Sequence, residues 1–448
     1  MAEKPLYRQR IDKKLWLTYT IRYLFPDGFM SQYTLADIAC WLDLPENLFP
    51  VPVRCFASDS KKIEKGDVFV ALKGLRVDGH SFLEEVAQKG AVAALVSRNY
   101  SGPDFGLILI HVDDVIFSLQ KLAKRWREVH NPRVIAVTGS VGKTTTKDFI
   151  ATLLSSRYKV EKSTGNANSQ VGLPMAILNY SKDSEFVVQE MAMSEPSNIA
   201  KLVAIVPPEI AVITKIGHSH VANFENGLVG VAAAKAEILS HPDTQWCIAY
   251  KESASFDCIA NGGVCNKIFI EFENPQFDLP FTAKHLLEDF VLAAQVAKLL
   301  GITDEEIASK AKELSTFKNR FELLEMNGVF FLNDSYNASP ESTKAALENL
   351  PKKNGKRIFA FGGCPELGIY HETKHREIAE IALKHVDHLL CLGEELVPMV
   401  DVFEKNQKPV EIFKDFDAFK KRIFALAEKD DLVLLKSMNL KQLWRVLE

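Results

Sequence analysis

The chain has 448 residues, 47% of them hydrophobic, and a formal net charge of −4. That length suggests about two to four domains with ample apolar content for their cores, and the near-balanced charge argues against nucleic acid or an anionic membrane surface as partner. Seven scattered cysteines show neither metal-ligand spacing nor a disulfide framework, which suits a reducing cytosol.

Residues 1–30 read as an N-terminal extension. Its segment Leu15–Phe25 is too short and too polar to span a bilayer, and no small-residue cleavage site follows, so no membrane insertion is expected. An amphipathic surface helix, or a stretch packed on the body, fits it better. Residues 31–130 alternate short strands and helices. Gly66–Leu72 is a strand after a turn, Asp78-Gly79-His80 another turn, Phe82–Lys89 a helix closed by Gly90, and Ala91–Val96 a buried strand.

From Val134 the alternation becomes long and regular. The apolar run Val134–Val137 leads into Thr-Gly-Ser-Val-Gly-Lys-Thr-Thr-Thr-Lys over residues 138–147, followed by a helical stretch. A buried strand, a glycine turn and a helix N-terminus form a cradle for nucleotide phosphates. Gly139 and Gly142 let backbone N–H groups converge, Lys143 supplies a point charge, and the Thr144 hydroxyl is suited to Mg²⁺. A first glycine is missing where Val137 stands, so this is a shortened phosphate loop. The polar loop Thr164–Asn168, ahead of Val171–Pro174, suits either substrate contact or a simple turn.

Polar residues that follow strands gather where ligands bind an open α/β sheet. Glu190 closes Phe186–Gln189 and could share Mg²⁺ with Thr144, or be an ordinary surface glutamate. Ile210–Ile213 leads towards His220, either a metal ligand or a structural histidine. Lys235, flanked by alanines on a helix, reads by itself as a solvated lysine; shielded and deprotonated, it could take up CO₂ to become an anionic ligand. Arg320 stands at an expected boundary over Asn319–Glu325, either free on the surface or poised to reach phosphates. Beyond it, Val329–Leu332, Arg357–Phe361, His388–Leu392 and Leu432–Leu435 have strand length, with helical stretches between, as in a smaller Rossmann-like unit. Asp334-Ser335-Tyr336-Asn337 packs a carboxylate, a phenol and an amide into four positions, more useful for nucleotide and metal contacts than for folding.

Together and in this order, these residues resemble the Mur ligases, ATP-dependent enzymes that extend the stem peptide of peptidoglycan precursors, and among them the D-alanyl-D-alanine-adding type. The resemblance spans residues 31–448. Asp59-Ser60-Lys61, Gly66–Gly74 and Asp78-Gly79-His80 look like the domain that grips a UDP-sugar, and Gly362–Gly368 with His375 is similar to the same subtype. The type that adds a diamino acid carries a different tyrosine–histidine motif and an arginine-bearing specificity loop, and neither is found.

The resemblance implies an α/β chain of three domains: UDP-precursor binding over 31–130, a central P-loop parallel-sheet ATPase over 131–320, and a Rossmann-like C-terminal domain over 321–448 that brings D-alanyl-D-alanine. It implies ATP and Mg²⁺ as cofactors, with Gly139, Ser140, Val141, Gly142, Lys143, Thr144 and Thr145 around the triphosphate. His285 matches a histidine–asparagine motif near the adenine, and Arg320, Asp334, Tyr336 and Asn337 complete the nucleotide site. Thr144 and Glu190 would hold one Mg²⁺, and His220 with carbamylated Lys235 a second; Lys143, Lys235 and His220 are the catalytic set. Ser60, Asp78, His80, Asn166 and Asn168 would touch UDP-N-acetylmuramoyl-tripeptide, and a cytoplasmic monomer is expected. The chain departs from the family pattern at Lys61, Ser169, Lys215, Leu286, Asp289 and Met438-Asn439.

Another Mur ligase or a folylpolyglutamate-type ligase keeps the fold and changes the substrate. A scaffold with a decayed site is opposed by Lys143, Thr144, Glu190, His220 and Lys235 standing together. A motor or switch protein fits less, because neither an acidic metal-binding strand end nor a switch segment stands at the places expected for one.

Overall fold

A computed structural model describes residues 33–44, 50–74 and 76–448. The expectation for residues 1–30 falls outside them. Among the described residues, those up to Pro132 form one compact unit with Ser163–Glu185, and Arg133–Lys162 with Phe186–Glu448 form a second.

In the first unit, β1 (Tyr33–Thr34) and β2 (Pro52–Val53) pair antiparallel. A parallel sheet follows in the order β3 (Phe56–Ala57), β4 (Val68–Val70), β5 (Ala93–Ser97), β6 (Ile108–Val112). The helix Val115–His130 starts at Asp114, whose Oδ1 accepts the Phe117 N–H at 2.8 Å, and ends at Asn131 in the left-handed region that stops helices. The helix Gly172–Leu178 packs against it. Asn179 binds both backbone groups of Phe56, at 2.8 and 2.9 Å, and the Tyr33 hydroxyl donates to the Leu178 carbonyl at 2.8 Å. These bonds tie residues 163–185 to the N-terminal unit.

The second unit contains two six-stranded sheets. The first has β7 (Arg133–Thr138), β8 (Val160–Lys162), β9 (Phe186–Glu190), β10 (Ile210–Ile213), β11 (Trp246–Tyr250) and β12 (Asn266–Ile270), ordered β12-β11-β10-β7-β9-β8 and all parallel. Every residue of β9 and β10 is buried, as expected of strands covered on both faces. The helices Lys143–Leu154 and Lys284–Leu299 pack together over one face, burying Phe149, Ile150 and Phe290 with Ile135 and Val137.

The second sheet is mixed. Its strands β13 (Glu322–Met326), β14 (Val329–Asp334), β15 (Arg357–Phe361), β16 (His388–Leu392), β17 (Val410–Phe413) and β18 (Leu432–Lys436) run in the order β13-β14-β18-β15-β16-β17. Only β13 is antiparallel to its neighbour. Asn319–Glu325, read from sequence as a boundary, therefore contains most of an edge strand. Asn327 and Gly328, both at positive φ (53° and 79°), turn it into β14, as an Asn-Gly hairpin requires.

Candidate nucleotide and ligase site

The glycine turn lies at the C-terminal end of β7, in the middle of the first sheet. Gly139 has φ 149°, and a Cβ there would fall 1.8 Å from Thr214 Oγ1. Gly142 has φ 87° and caps the helix Lys143–Leu154 without any side-chain bond, so the first-turn N–H groups face an incoming anion unblocked by a side-chain cap. The segment after β10 braces the turn. The Ser140 N–H donates to the Lys215 carbonyl at 2.7 Å, Ser140 Oγ donates to the Gly217 carbonyl at 2.9 Å, and Thr214 Oγ1 donates to the Thr138 carbonyl at 3.2 Å. Ser140 and Val141 are thus held from beneath, while Lys143, Thr144 and Thr145 open the helix.

The charges around the turn are concentrated and poorly solvated. Burial pushes Lys143 below its ordinary pKa; the Glu190 carboxylate opposes this and Arg320 adds to it. Thr144 Oγ1 donates to Glu190 Oε2 at 2.6 Å, and Glu190 is itself buried as the last residue of β9. Lys235 is only 2% exposed, which overturns the reading of it as a solvated side chain. Its Nζ donates to the Gly139 carbonyl at 2.8 Å, and burial, with Lys143 adding, drives its pKa well below normal against the pull of Glu190. His220 lies beyond the strand end, in the left-handed region at φ 62°, and its Nδ1 bonds Glu366. Burial lowers its pKa, with Lys143 and Lys235 acting in the same direction and Glu366 against them. Lys143, Thr144, Glu190, His220 and Lys235 are therefore neighbours.

The fit to Mg²⁺ is a partial cage. Among the described residues no three His, Cys, Asp or Glu side chains converge as a metal cluster. Thr144 and Glu190 nonetheless place two oxygens 2.6 Å apart at the mouth of an anion cradle. Mg²⁺ commonly takes one or two protein oxygens and completes its shell from phosphates and water, so this donor set suits it.

The second sheet supplies the opposite rim. Asp334 ends β14; its Oδ2 pairs with buried Lys436 at 2.6 Å and its Oδ1 accepts the Phe321 N–H at 3.1 Å. Lys436 Nζ also donates to the Asn337 carbonyl at 3.0 Å, and Asn439 Nδ2 donates to the Tyr336 carbonyl at 3.1 Å. The Arg320 guanidinium lies over the Tyr336 ring, 4.0 Å from its centroid. His285 packs edge-on against Phe321, its Nδ1 is buried without a partner, and burial lowers its pKa to about 4. Two further carboxylates reach the loop after β10: Glu341 Oε1 accepts from the His218 N–H at 2.9 Å and meets His218 Nδ1 at 2.7 Å, and Glu366 meets His220. His375 is buried; its Nε2 accepts the Cys364 N–H at 3.2 Å, pinning the Gly362–Gly368 loop. Glu341, Glu366 and Lys436 were not singled out from sequence. Lys436 alone left a signal, a charge closing an apolar strand.

In the first unit a separate cleft is lined by Asp78, His80, Asn99, Tyr100 and Asp113, among others. The His80 ring stacks on Tyr100 at 5.2 Å, with Nδ1 on Asp78 at 2.6 Å and Nε2 accepting the Ser97 N–H at 3.0 Å. Ser60 is not part of this lining: its hydroxyl donates to Glu85 at 3.2 Å. Asn166 and Asn168 lie in the same unit, in a turn closed by the Asn168 N–H to the Asn166 carbonyl at 2.8 Å, and they do not line the cleft either. Asn99 and Tyr100, which follow β5, were missed because their apolar strand gives no hint of which loop residue turns inward.

Three family models match the chain: "Mur ligase family, catalytic domain" over residues 53–126, "Mur ligase middle domain" over 137–296 and "Mur ligase, glutamate ligase domain" over 319–439. The UDP-N-acetylmuramoyl-tripeptide–D-alanyl-D-alanine ligase of Bacillus subtilis is 32% identical over 85% of this chain and 89% of its own length; that of Escherichia coli is 28% identical over 77% and 82%. Among solved structures, MurF from Acinetobacter baumannii superposes with a TM-score of 0.81 at 25% identity, covering 93% of this chain and 98% of that one. MurF from Thermotoga maritima, in complex with ADP, gives 0.72 at 28% identity over 88% and 96%. With its sheets, its phosphate loop and nearly its whole described length matched, the chain belongs to the Mur ligase family, in the MurF group.

Proposed function

We propose that the chain joins D-alanyl-D-alanine to UDP-N-acetylmuramoyl-tripeptide in peptidoglycan precursor synthesis, using ATP and releasing ADP and phosphate. A carboxylate is too poor an electrophile to take an amine directly. The γ-phosphoryl group therefore passes to the tripeptide's terminal carboxylate, the bond from phosphorus to the bridging oxygen of ADP breaks, and an acyl phosphate forms. The dipeptide's neutral amine attacks the acyl carbon, a proton leaves the nitrogen, and phosphate departs from the tetrahedral intermediate.

The observation that carries this reading is the convergence of Lys143, Lys235, Thr144 and Glu190 on one glycine turn. Two lysines held with too little counter-charge are an unfavourable arrangement until a polyanion arrives. Lys143 would balance the β- and γ-phosphates, and Thr144 and Glu190 would hold Mg²⁺, which supplies charge neutralisation at the transferring phosphoryl group. His220 and Lys235, the lysine as a carbamate, would hold a second ion. The depressed pKa of Lys235 supports that, since only the free amine reacts with CO₂. Arg320, Tyr336, Asp334, Asn337 and His285 would frame ribose and base, and the cleft at Asp78 and His80 would take the UDP end. On this reading residues 31–130, 131–320 and 321–448 bind precursor, nucleotide and dipeptide in turn. No helix among the described residues is long and apolar enough to cross a membrane, and a cytoplasmic monomer is proposed.

Purified protein with ATP, UDP-N-acetylmuramoyl-tripeptide and candidate amines decides the matter. ADP release and product mass should depend on D-alanyl-D-alanine. Release driven by meso-diaminopimelate or glutamate would transfer the chain to a different ligase activity.

A further inference from the structure

The helix Lys284–Leu299 carries a buried carboxyl that the reaction does not use. Asp289 projects from it towards the phosphate loop, so close that a Cβ on Gly142 would fall 2.2 Å from its Oδ1. The same oxygen accepts the Thr146 hydroxyl at 3.1 Å, and Thr146 is fully buried on the first turns of the phosphate helix. The backbone that presents Asp289 is itself anchored. The Tyr250 hydroxyl, from the end of β11, donates to the Glu288 carbonyl at 2.7 Å, and the Glu288 carboxylate bonds the Lys215 ammonium. Lys215 is the residue whose carbonyl accepts the Ser140 N–H. One short ring of contacts thus runs from Ser140 through Lys215, Glu288 and Asp289 back to Gly142 and Thr146.

We infer that Asp289 is a positioning residue for the phosphate loop: its carboxyl, seated against Gly142 and bonded to Thr146, holds the turn in the form that receives the triphosphate. The inference rests on the reading of residues 139–145 as the triphosphate site. Gly142 has no side chain of its own with which to hold its position, and a left-handed turn without a cap has neighbouring backbone states open to it. A wedge from a rigid helix removes those states before the nucleotide arrives. The preference is geometric, so a group of the same shape with an acceptor oxygen should serve. Burial pushes the pKa of this carboxyl well above the ordinary carboxylate range, with Glu288 acting the same way, against the Thr146 hydroxyl, Lys215 and Arg320.

The test is calorimetric titration of the full chain with Mg²⁺–ADP. Asp289→Ala and Thr146→Val should weaken ADP binding about tenfold or more, in the range found when outer supports of a ligand site are removed, while the KM for the dipeptide moves little. Asp289→Asn, which keeps the volume and an acceptor oxygen, should recover most of the loss. Wild-type affinity in both Asp289→Ala and Thr146→Val would overturn the inference, as would an Asn variant no better than Ala. Should Asp289→Ala not fold, Thr146→Val alone decides, because it removes a single hydroxyl. Failure of the wild type to bind ADP would sink the nucleotide reading first and this inference with it.

Discussion

The two sheets of the second unit treat their charged side chains in opposite ways. Around the first sheet, half-buried Lys143 lies beside fully buried Lys235, and the one carboxylate that opposes both depressions, Glu190, is already bonded to Thr144. Around the second, Lys436 is just as buried but sits on Asp334 at 2.6 Å with a backbone carbonyl at 3.0 Å. Stability alone would pair the first set as it pairs the second. A set this short of counter-charge is where an anionic ligand would complete the electrostatics, and the charge-paired set reads as the scaffold beside it.

The contrast can be tested by substitution, and the largest effect should come from the phosphate loop. Lys143→Ala should lower kcat by several orders of magnitude, on the order of 10³-fold or more, since it deletes the charge aimed at the transferring group. Near-normal turnover would refute the role given to it. Lys436→Met should cost about 3–5 kcal/mol in urea unfolding and raise the KM for ATP, because it strands the partly buried Asp334 carboxylate. The same substitution at Lys235 should have the other sign: stability rises by about 1–3 kcal/mol while ligation is lost, because an ill-matched buried amine is replaced by an apolar chain of similar length. If Lys235→Met is destabilised as much as Lys436→Met, the comparison between the two sheets fails.

The smallest effect is in pH. His285 and His375, one beside each sheet, are held by burial at a pKa of about 4. A histidine with a folded pKa below its unfolded value of about 6.5 contributes stability fully above that value and loses it as pH falls towards the folded pKa, because the unfolded chain binds the proton first. These two histidines should therefore lower stability from pH 6.5 to pH 4 and contribute about two protons to the uptake on unfolding, of which His285→Leu should remove about one. Equal slopes in the wild type and the variant would show that His285 titrates normally.

Much of this was legible because it is local. The glycine turn follows an apolar strand and opens a helix within a dozen residues, so sequence neighbours are also neighbours in space. The same holds for Asp334–Asn337 after β14 and for the runs that became β15, β16 and β18. The hairpin at Asn327-Gly328 was equally local; the boundary read over Asn319–Glu325, just before it, falls largely on β13, an edge strand with a mostly exposed face. Lys235 was misjudged on its own because alanine neighbours on a helix do not say which face is covered.

The sequence by itself determined the α/β alternation, the nucleotide-binding turn and the order of motifs along the chain, all set by hydrophobic period, glycine placement and short spacing. Tertiary structure decided which charges meet. Glu190 reaches Thr144 across 46 residues of chain, Lys436 reaches Asp334 across 102, and Thr146 reaches Asp289 across 143. Such pairs depend on strand order and on which helix face is buried, quantities that arise only when the sheets are assembled.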